Sequence, residues 1–245
     1  TADSGSSAAL SANSTSLTGT TLVYQAKFNQ DWSGTLLALP VNPVTGVVSS
    51  TPAWDASTLI PAHGSRRMFT YNGEEGVEFD ACSKLSDEQQ KVLNETSGGT
   101  DDGLCEARLQ WLRGNPKDEV RSTTTGSLKL FRNRATNVMG DIINSDPAYV
   151  KDVDYGYSGL PAGTPGQSTY AAYRVENGLR PAMVYVGSND GKVYGIRGDQ
   201  GDPDSGNEIF SYIPGGVFHN LSHLTDPSYS HRYYADGSII VRDAF

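Results

Sequence analysis

Four groups of side chains in this sequence stand at spacings that could do chemistry. Cys82 and Cys105 are the two cysteines of the chain, 23 residues apart and flanking a segment with helical character. A bridge between them would stabilise the fold by about 3 kcal/mol in the chain-entropy model. Two free thiols are the alternative. A bridge implies an oxidising, extracytoplasmic compartment. Asp199, Asp202, Asp204, Asn207 and Glu208 crowd into ten residues. Hard cations take six or more oxygen ligands, and an acidic loop containing glycine can supply them. That makes Asp199, Asp202 and Asp204 candidate metal ligands. Pro203 interrupts the run and the spacing is not that of an EF-hand, so a solvated acidic loop is the competing reading. Arg197-Gly198-Asp199, at the start of the same stretch, is an integrin-type adhesion tripeptide in a loop expected to be exposed. Its competing reading is chance, because all three residues are common in turns.

His219 and His223 stand at i, i+4 in residues 216–224, which read as a helix, and His231 follows. A pair of imidazoles on one helical face can hold a metal. No glutamate lies between them in the HExxH sense, however, and packing is the simpler role for His231. Three Asn-x-Ser/Thr triplets, at Asn13, Asn94 and Asn220, match the glycosylation pattern without further support. GxSxG, P-loop and GxGxxG patterns are missing, and no motif gathers Ser, His and acid. The expectation is therefore a non-enzymatic protein. A net charge of −9 over 245 residues, with no basic run longer than Arg66-Arg67, argues against a nucleic-acid surface. No stretch has the length and apolarity of a membrane span or signal peptide.

The elements that must position these groups are mostly strands. Residues 182–214 read as three in succession. Met183 to Gly187 alternates, Asn189-Asp190-Gly191 makes a tight turn, Lys192 to Ile196 returns, and Glu208 to Ile213 follows a polar loop. Strand, Asp-Gly turn, strand, loop and aromatic strand is the order of one β-propeller blade. Two further copies of a glycine turn followed by a strand stand at Trp32 to Ala38 and Ala235 to Val241. Strands are also expected at 21–28, 35–41, 47–51, 67–71, 77–79 and 148–150. One helical turn is expected near Trp54 to Leu59. Residues 1–19, rich in Ser, Thr and Ala, read as a flexible linker. A helical insert is expected over about 84–114. Ser86 and Gln89 form a capping box for its first helix, and Gly114 closes the second. A third helix is expected over 168–175. The fold class is thus mainly β, a partial propeller with quinoprotein-like blades over residues 20–245. Both termini fall in incomplete patterns, so the chain reads as a piece of a longer one.

An ordered series of segments resembles the PilC/PilY family of type IV pilus tip proteins. It begins with Tyr24 to Gly34, Trp54 to Ala56, Leu85 to Gln89, Leu109 to Gly114 and Phe131 to Arg134. It continues with Val138 to Val150, Val184 to Gly191, and His231 to Gly237 before Val241 to Ala244. The resemblance covers residues 20–245. It implies the N-terminal part of that family's C-terminal propeller, a secreted adhesin and biogenesis domain used in pilus extension, twitching motility and attachment. It further implies minor pilins and host or abiotic surfaces as partners. The location would be the cell surface, pilus tip, outer membrane or periplasm of a Gram-negative bacterium. The rest of the same propeller, as a separate chain, is another implied partner. The family's calcium loop lies in a later blade, so Ca2+ would bind the parent protein outside this chain. Two other readings stay open. A quinoprotein-dehydrogenase-like propeller has similar blades, although the adjacent cysteine pair expected over its quinone is missing. The other is an outer-membrane scaffold propeller.

Overall fold

The computed structural model describes residues 10–13, 20–134, 136–151 and 154–242. Two sheets form from alternating sequences. The first is a four-stranded antiparallel meander of β1 (Leu10–Ala12), β2 (Leu22–Phe28), β3 (Gly34–Pro40) and β4 (Trp54–Asp55). The second contains β5 (Met68–Tyr71), β6 (Gly76–Glu78), β7 (Ala148–Val150), β8 (Met183–Ser188), β9 (Lys192–Arg197) and β10 (Glu208–Ile213), in the order β6-β5-β10-β9-β8-β7. Strands β7 to β10 make a second antiparallel meander. The β5–β6 hairpin extends it by running parallel to β10. Two four-stranded meanders in one chain are two blades of a β-propeller, not a closed ring.

One face of each blade supplies the first core. Leu22, Tyr24, Ala26, Leu36 and Ala38 pack with Val184, Val186, Tyr194 and Ile196, and all nine are fully buried. Burying each aliphatic side chain of this set is worth about 1.5–3 kcal/mol. Tyr24 carries a hydroxyl into this layer and gives it a partner, donating to the carbonyl oxygen of Gly198 at 2.8 Å. Its ring stacks on Tyr149 and leans on Trp54. The second core lies under the insert. Helices α1 (Asp87–Leu93) and α2 (Cys105–Leu112) cover Met68, Phe79, Ile213, Phe218 and Leu221. The capping box at Ser86 and Gln89 is present, and Gly114 follows α2 with φ +108°. Cys82 and Cys105 are bridged, their Cα atoms 6.2 Å apart. The bridge ties the start of α2 to the chain leaving the hairpin. A third helix, α3 (Gln167–Asn177), stands in the connection between β7 and β8.

Four expectations change. Within the stretch read as a linker, Leu10–Ala12 pair with β2. Asn13 closes that hairpin, its side chain accepting from Leu22 N–H and donating to Thr20. The rest of 1–19 lies outside the described residues. No strand forms at 47–51, where only Val48 bridges Val41; Pro43 and the tight turn ending at Gly46 leave the valines in solvent. Residues Gly215–Thr225 are a 3-10 helix, their Gly-Gly start giving the α form little support. Ile239 to Val241 is not a strand, because no neighbouring strand among the described residues pairs with it.

Two glycines let the blades be joined closely. A Cβ on Gly34 would stand 1.9 Å from the carbonyl oxygen of Gly140, and one on Gly187 would stand 1.8 Å from that of Ala235. In both places the chain leaving a blade crosses directly over the sheet. Gly187→Ala and Gly34→Ala should each cost about 3 kcal/mol or more, the upper range for overpacking. Gly237→Ala, with open space around it, should stay within about 0.5 kcal/mol of the parent. Urea unfolding midpoints check all three, and an unchanged midpoint for Gly187→Ala contradicts the crossing.

Candidate functional site

The acidic stretch after β9 does not converge. Asp199 accepts from the Ala182 N–H at 3.1 Å and pairs with Lys151 at 3.6 Å. Asp202 caps the N–H of Asp204, and Asp204 accepts from the Asn207 side chain. Glu208 turns inward and is held by Arg66 through two hydrogen bonds of 2.9 Å. Among the described residues no three His, Cys, Asp or Glu side chains are grouped to hold a metal. The Arg197-Gly198-Asp199 tripeptide is not an exposed loop. Arg197 ends β9, Gly198 is buried with its N–H donating to Ala182, and its carbonyl oxygen receives the Tyr24 hydroxyl. Strand pairing continues one residue further than the polar composition suggested. His219 and His223 sit on the 3-10 helix, where a four-residue spacing does not align side chains as an α-helix does.

The structure gathers a different set, at the blade ends where the β8–β9 turn meets residues 137–145 and 229–237. Asp141 is buried and accepts from Asn189 Nδ2 at 2.7 Å and His231 Nε2 at 2.8 Å. Burial pushes its carboxyl up, against those two hydrogen bonds. His231 also stacks on Trp32, ring centroids 3.9 Å apart. Trp32 adopts φ +61°, a left-handed conformation rare for an aromatic residue, at the tip of the β2–β3 turn. Asp190 accepts from Tyr194 Oη at 2.6 Å, Lys192 Nζ at 3.0 Å and Gly140 N–H at 3.2 Å. Burial alone would raise its carboxyl, but the Lys192 charge and the Tyr194 hydroxyl hold it below the usual range. Asp236 Oδ1 accepts from three successive backbone N–H groups, Ile143, Asn144 and Ser145, at 2.8–3.0 Å. Asn189 Nδ2 reaches its other oxygen. The chain's own carboxylate thus fills a backbone anion nest.

These charges are spent on one another. They fasten loops to sheets. The sequence reading placed Asn189-Asp190-Gly191 and Asp236 in turns, yet their carboxylates act across the fold. The exposed chemistry lies on the far face of the second sheet. Met183, Tyr185, Val193, Phe210, Tyr212 and Phe69 are all partly exposed there, and Tyr71 is 49% exposed. Phe210 lies over Gly195, with Tyr185 beside it at 6.2 Å between centroids. Such a face suits the flank of a further sheet.

Residues 139–245 match the family model described as the PilY1 beta-propeller domain. The match takes in the second blade and not the first. The chain is 32% identical over 242 residues to the type IV pilus biogenesis factor PilY1 homolog of Xylella fastidiosa, covering 98% of the chain and 18% of that protein. It is 32% identical over 239 residues to the type IV pilus biogenesis factor PilY1 of Pseudomonas aeruginosa, covering 92% and 19%. The chain therefore spans about a fifth of the length of these relatives. No solved structure matches it.

Two measurements test the buried charges. The Arg66 and Glu208 side chains are 0% and 1% exposed. Glu208→Ala should lose about 3–5 kcal/mol by stranding the guanidinium, while Arg66→Met with Glu208→Leu should recover most of it. Denaturant melts decide, and a double variant as weak as the single one contradicts the assignment. The second test is acid. Hydrogen bonds from Ser97 and Ser228 hold Asp226 below the ordinary carboxylate value. Asp102 is raised by burial but lowered further by the Arg108 hydrogen bond and the Leu104 N–H. A depressed carboxylate stabilises above the unfolded value of about 3.9 and loses that contribution as pH falls through the folded one. Stability should thus drop below about pH 4, less steeply in Asp102→Asn, as followed by circular dichroism.

Proposed function

Because this chain belongs to the PilY1 family, we propose that it serves in type IV pilus biogenesis as a binding segment at the pilus tip, engaging minor pilins and external surfaces without catalysis. The carrying observation is the match of residues 139–245 to the PilY1 propeller model, joined to 32% identity across 98% of the chain. The Cys82–Cys105 bridge supports an extracytoplasmic location. The rigid packing of the two blades supports a binding role, since it holds the connecting loops in fixed positions. The aromatic far face of the second sheet supports a propeller completed by further blades, from the parent protein or a separate chain. Any calcium would then belong to those blades.

The test is deletion of the gene encoding the chain, with surface pili counted by electron microscopy and twitching and attachment measured. Loss of surface pili and motility, restored by complementation, is the expected result. Normal piliation, twitching and attachment would overturn the proposal. A quinoprotein-type enzyme is the competing class. Dye-linked alcohol oxidation by the purified protein, supplied with quinone and Ca2+, would favour it.

A further inference from the structure

Deepening the binding role proposed above, we infer that the helical insert carries a peptide-docking cleft for a short segment with Lys or Arg beside an apolar side chain. A cleft of about 910 Å³ runs from the β5–β6 turn, along α1, to the start of the 3-10 helix at Gly215. That volume is in the upper range of natural ligand sites. The lining is mixed; its apolar part comes from Tyr71 and the half-buried Val92, with Leu85 and Phe218, each only 4% exposed, packed beneath. Tyr71 forms one wall, its hydroxyl donating to the carbonyl oxygen of Gly73 at 2.9 Å.

The rim is acidic. Glu74, Asp87 and Glu88 are exposed along it and take part in no ion pair among the described residues. Lys84, the lysine at the cleft, is already engaged by Asp80 at 2.8 Å and Glu78 at 3.6 Å. His219 and the Tyr71 phenol also line it. An anionic occupant would meet unpaired carboxylates, whereas a cationic one completes them. Tyr71 and Val92, lining the same cleft, favour a segment that also offers an apolar side chain.

The walls are built before any occupant arrives. Gln89 Nε2 donates to the carbonyl oxygen of Tyr71 at 3.0 Å, and Asn72 Nδ2 to that of Lys84 at 3.1 Å. The Asn72 side-chain Oδ1 accepts from the N–H groups of Glu74 and Glu75, fixing the turn. The Cys82–Cys105 bridge anchors the floor behind Ser83 and Lys84. Binding to such a cleft avoids the ordering cost that a mobile surface would incur. Gly73, Gly215 and Gly216 leave the mouth open, with no atom near where a Cβ would project.

Fluorescence anisotropy of the purified chain tests this, using a fluorescein-labelled Lys-Leu-Lys-Leu-Lys peptide and its Glu-Leu-Glu-Leu-Glu counterpart. The basic peptide should bind at least about tenfold more tightly, and rising salt should weaken it. Glu74→Gln with Glu88→Gln should weaken binding about fivefold, in line with two partly exposed ion pairs. Tyr71→Ala should weaken it with the salt dependence unchanged. Asp146→Asn with Glu176→Gln, a remote exposed pair, should leave it alone. Equal affinity for the two peptides, or equal loss in the cleft and remote variants, overturns the inference. The readout is a dissociation constant on the isolated chain, so failure here leaves the piliation test standing, and the reverse.

Discussion

The structure depends on two sheets that pack their apolar faces against each other. Tyr24 and Leu36 from one blade and Val186, Tyr194 and Ile196 from the other form one dry layer. What makes that layer a propeller joint, not an ordinary sandwich, is how the chain passes between the sheets. At Gly34 and again at Gly187 the outgoing segment lies so near the sheet that no side chain fits between them. The same device appears twice, about one blade apart.

The buried charges follow from this crowding. A loop crossing the end of a sheet carries peptide groups that must be paired once water is expelled. Asp236 meets three of them at 143–145, and Asp141 takes His231 and Asn189. Asp190 binds Gly140, the residue that Gly34 touches. Each carboxylate is costly to bury alone and tolerable when several donors converge on it. The clustering of Asp and Asn at these turns is therefore structural, although the same residues at a surface would invite a catalytic or metal-binding reading.

Much of the framework was legible because period and punctuation coincide in it. Met183 to Gly187 alternates up to the Asn189-Asp190-Gly191 turn, Lys192 to Ile196 returns from it, and Ser86 with Gln89 announces α1. What was not legible depends on distant partners. Leu10 to Ala12 has the composition of a linker and becomes a strand only because β2 presents an open edge. Ile239 to Val241 has the composition of a strand and stays irregular for want of a neighbour. Arg197-Gly198-Asp199 reads as a loop by polarity, yet the Tyr24 hydroxyl, from 174 positions earlier, draws Gly198 into the core. No local window contains that hydrogen bond. The acids of the following loop are drawn apart in the same way, since Glu208 turns to Arg66, 142 positions earlier, beside the neighbouring strand.

The distribution of charge then separates framework from contact surface. Arg66, Arg113 and Lys192 are almost entirely buried among carboxylates and carbonyl oxygens. Several exposed acids have no such partner, and the chain carries a net charge of −9. Other cations, such as Lys91, Lys117 and Arg232, stay exposed, but the acids outnumber them, 28 Asp and Glu against 19 Lys and Arg. Such a body repels acidic partners at a distance and draws basic ones in, a long-range bias that salt would weaken. The far face of the second sheet is aromatic and only partly covered, so it selects by shape and apolar area. The two kinds of surface therefore suit different occupants, a sheet on the aromatic flank and a cationic segment at the insert.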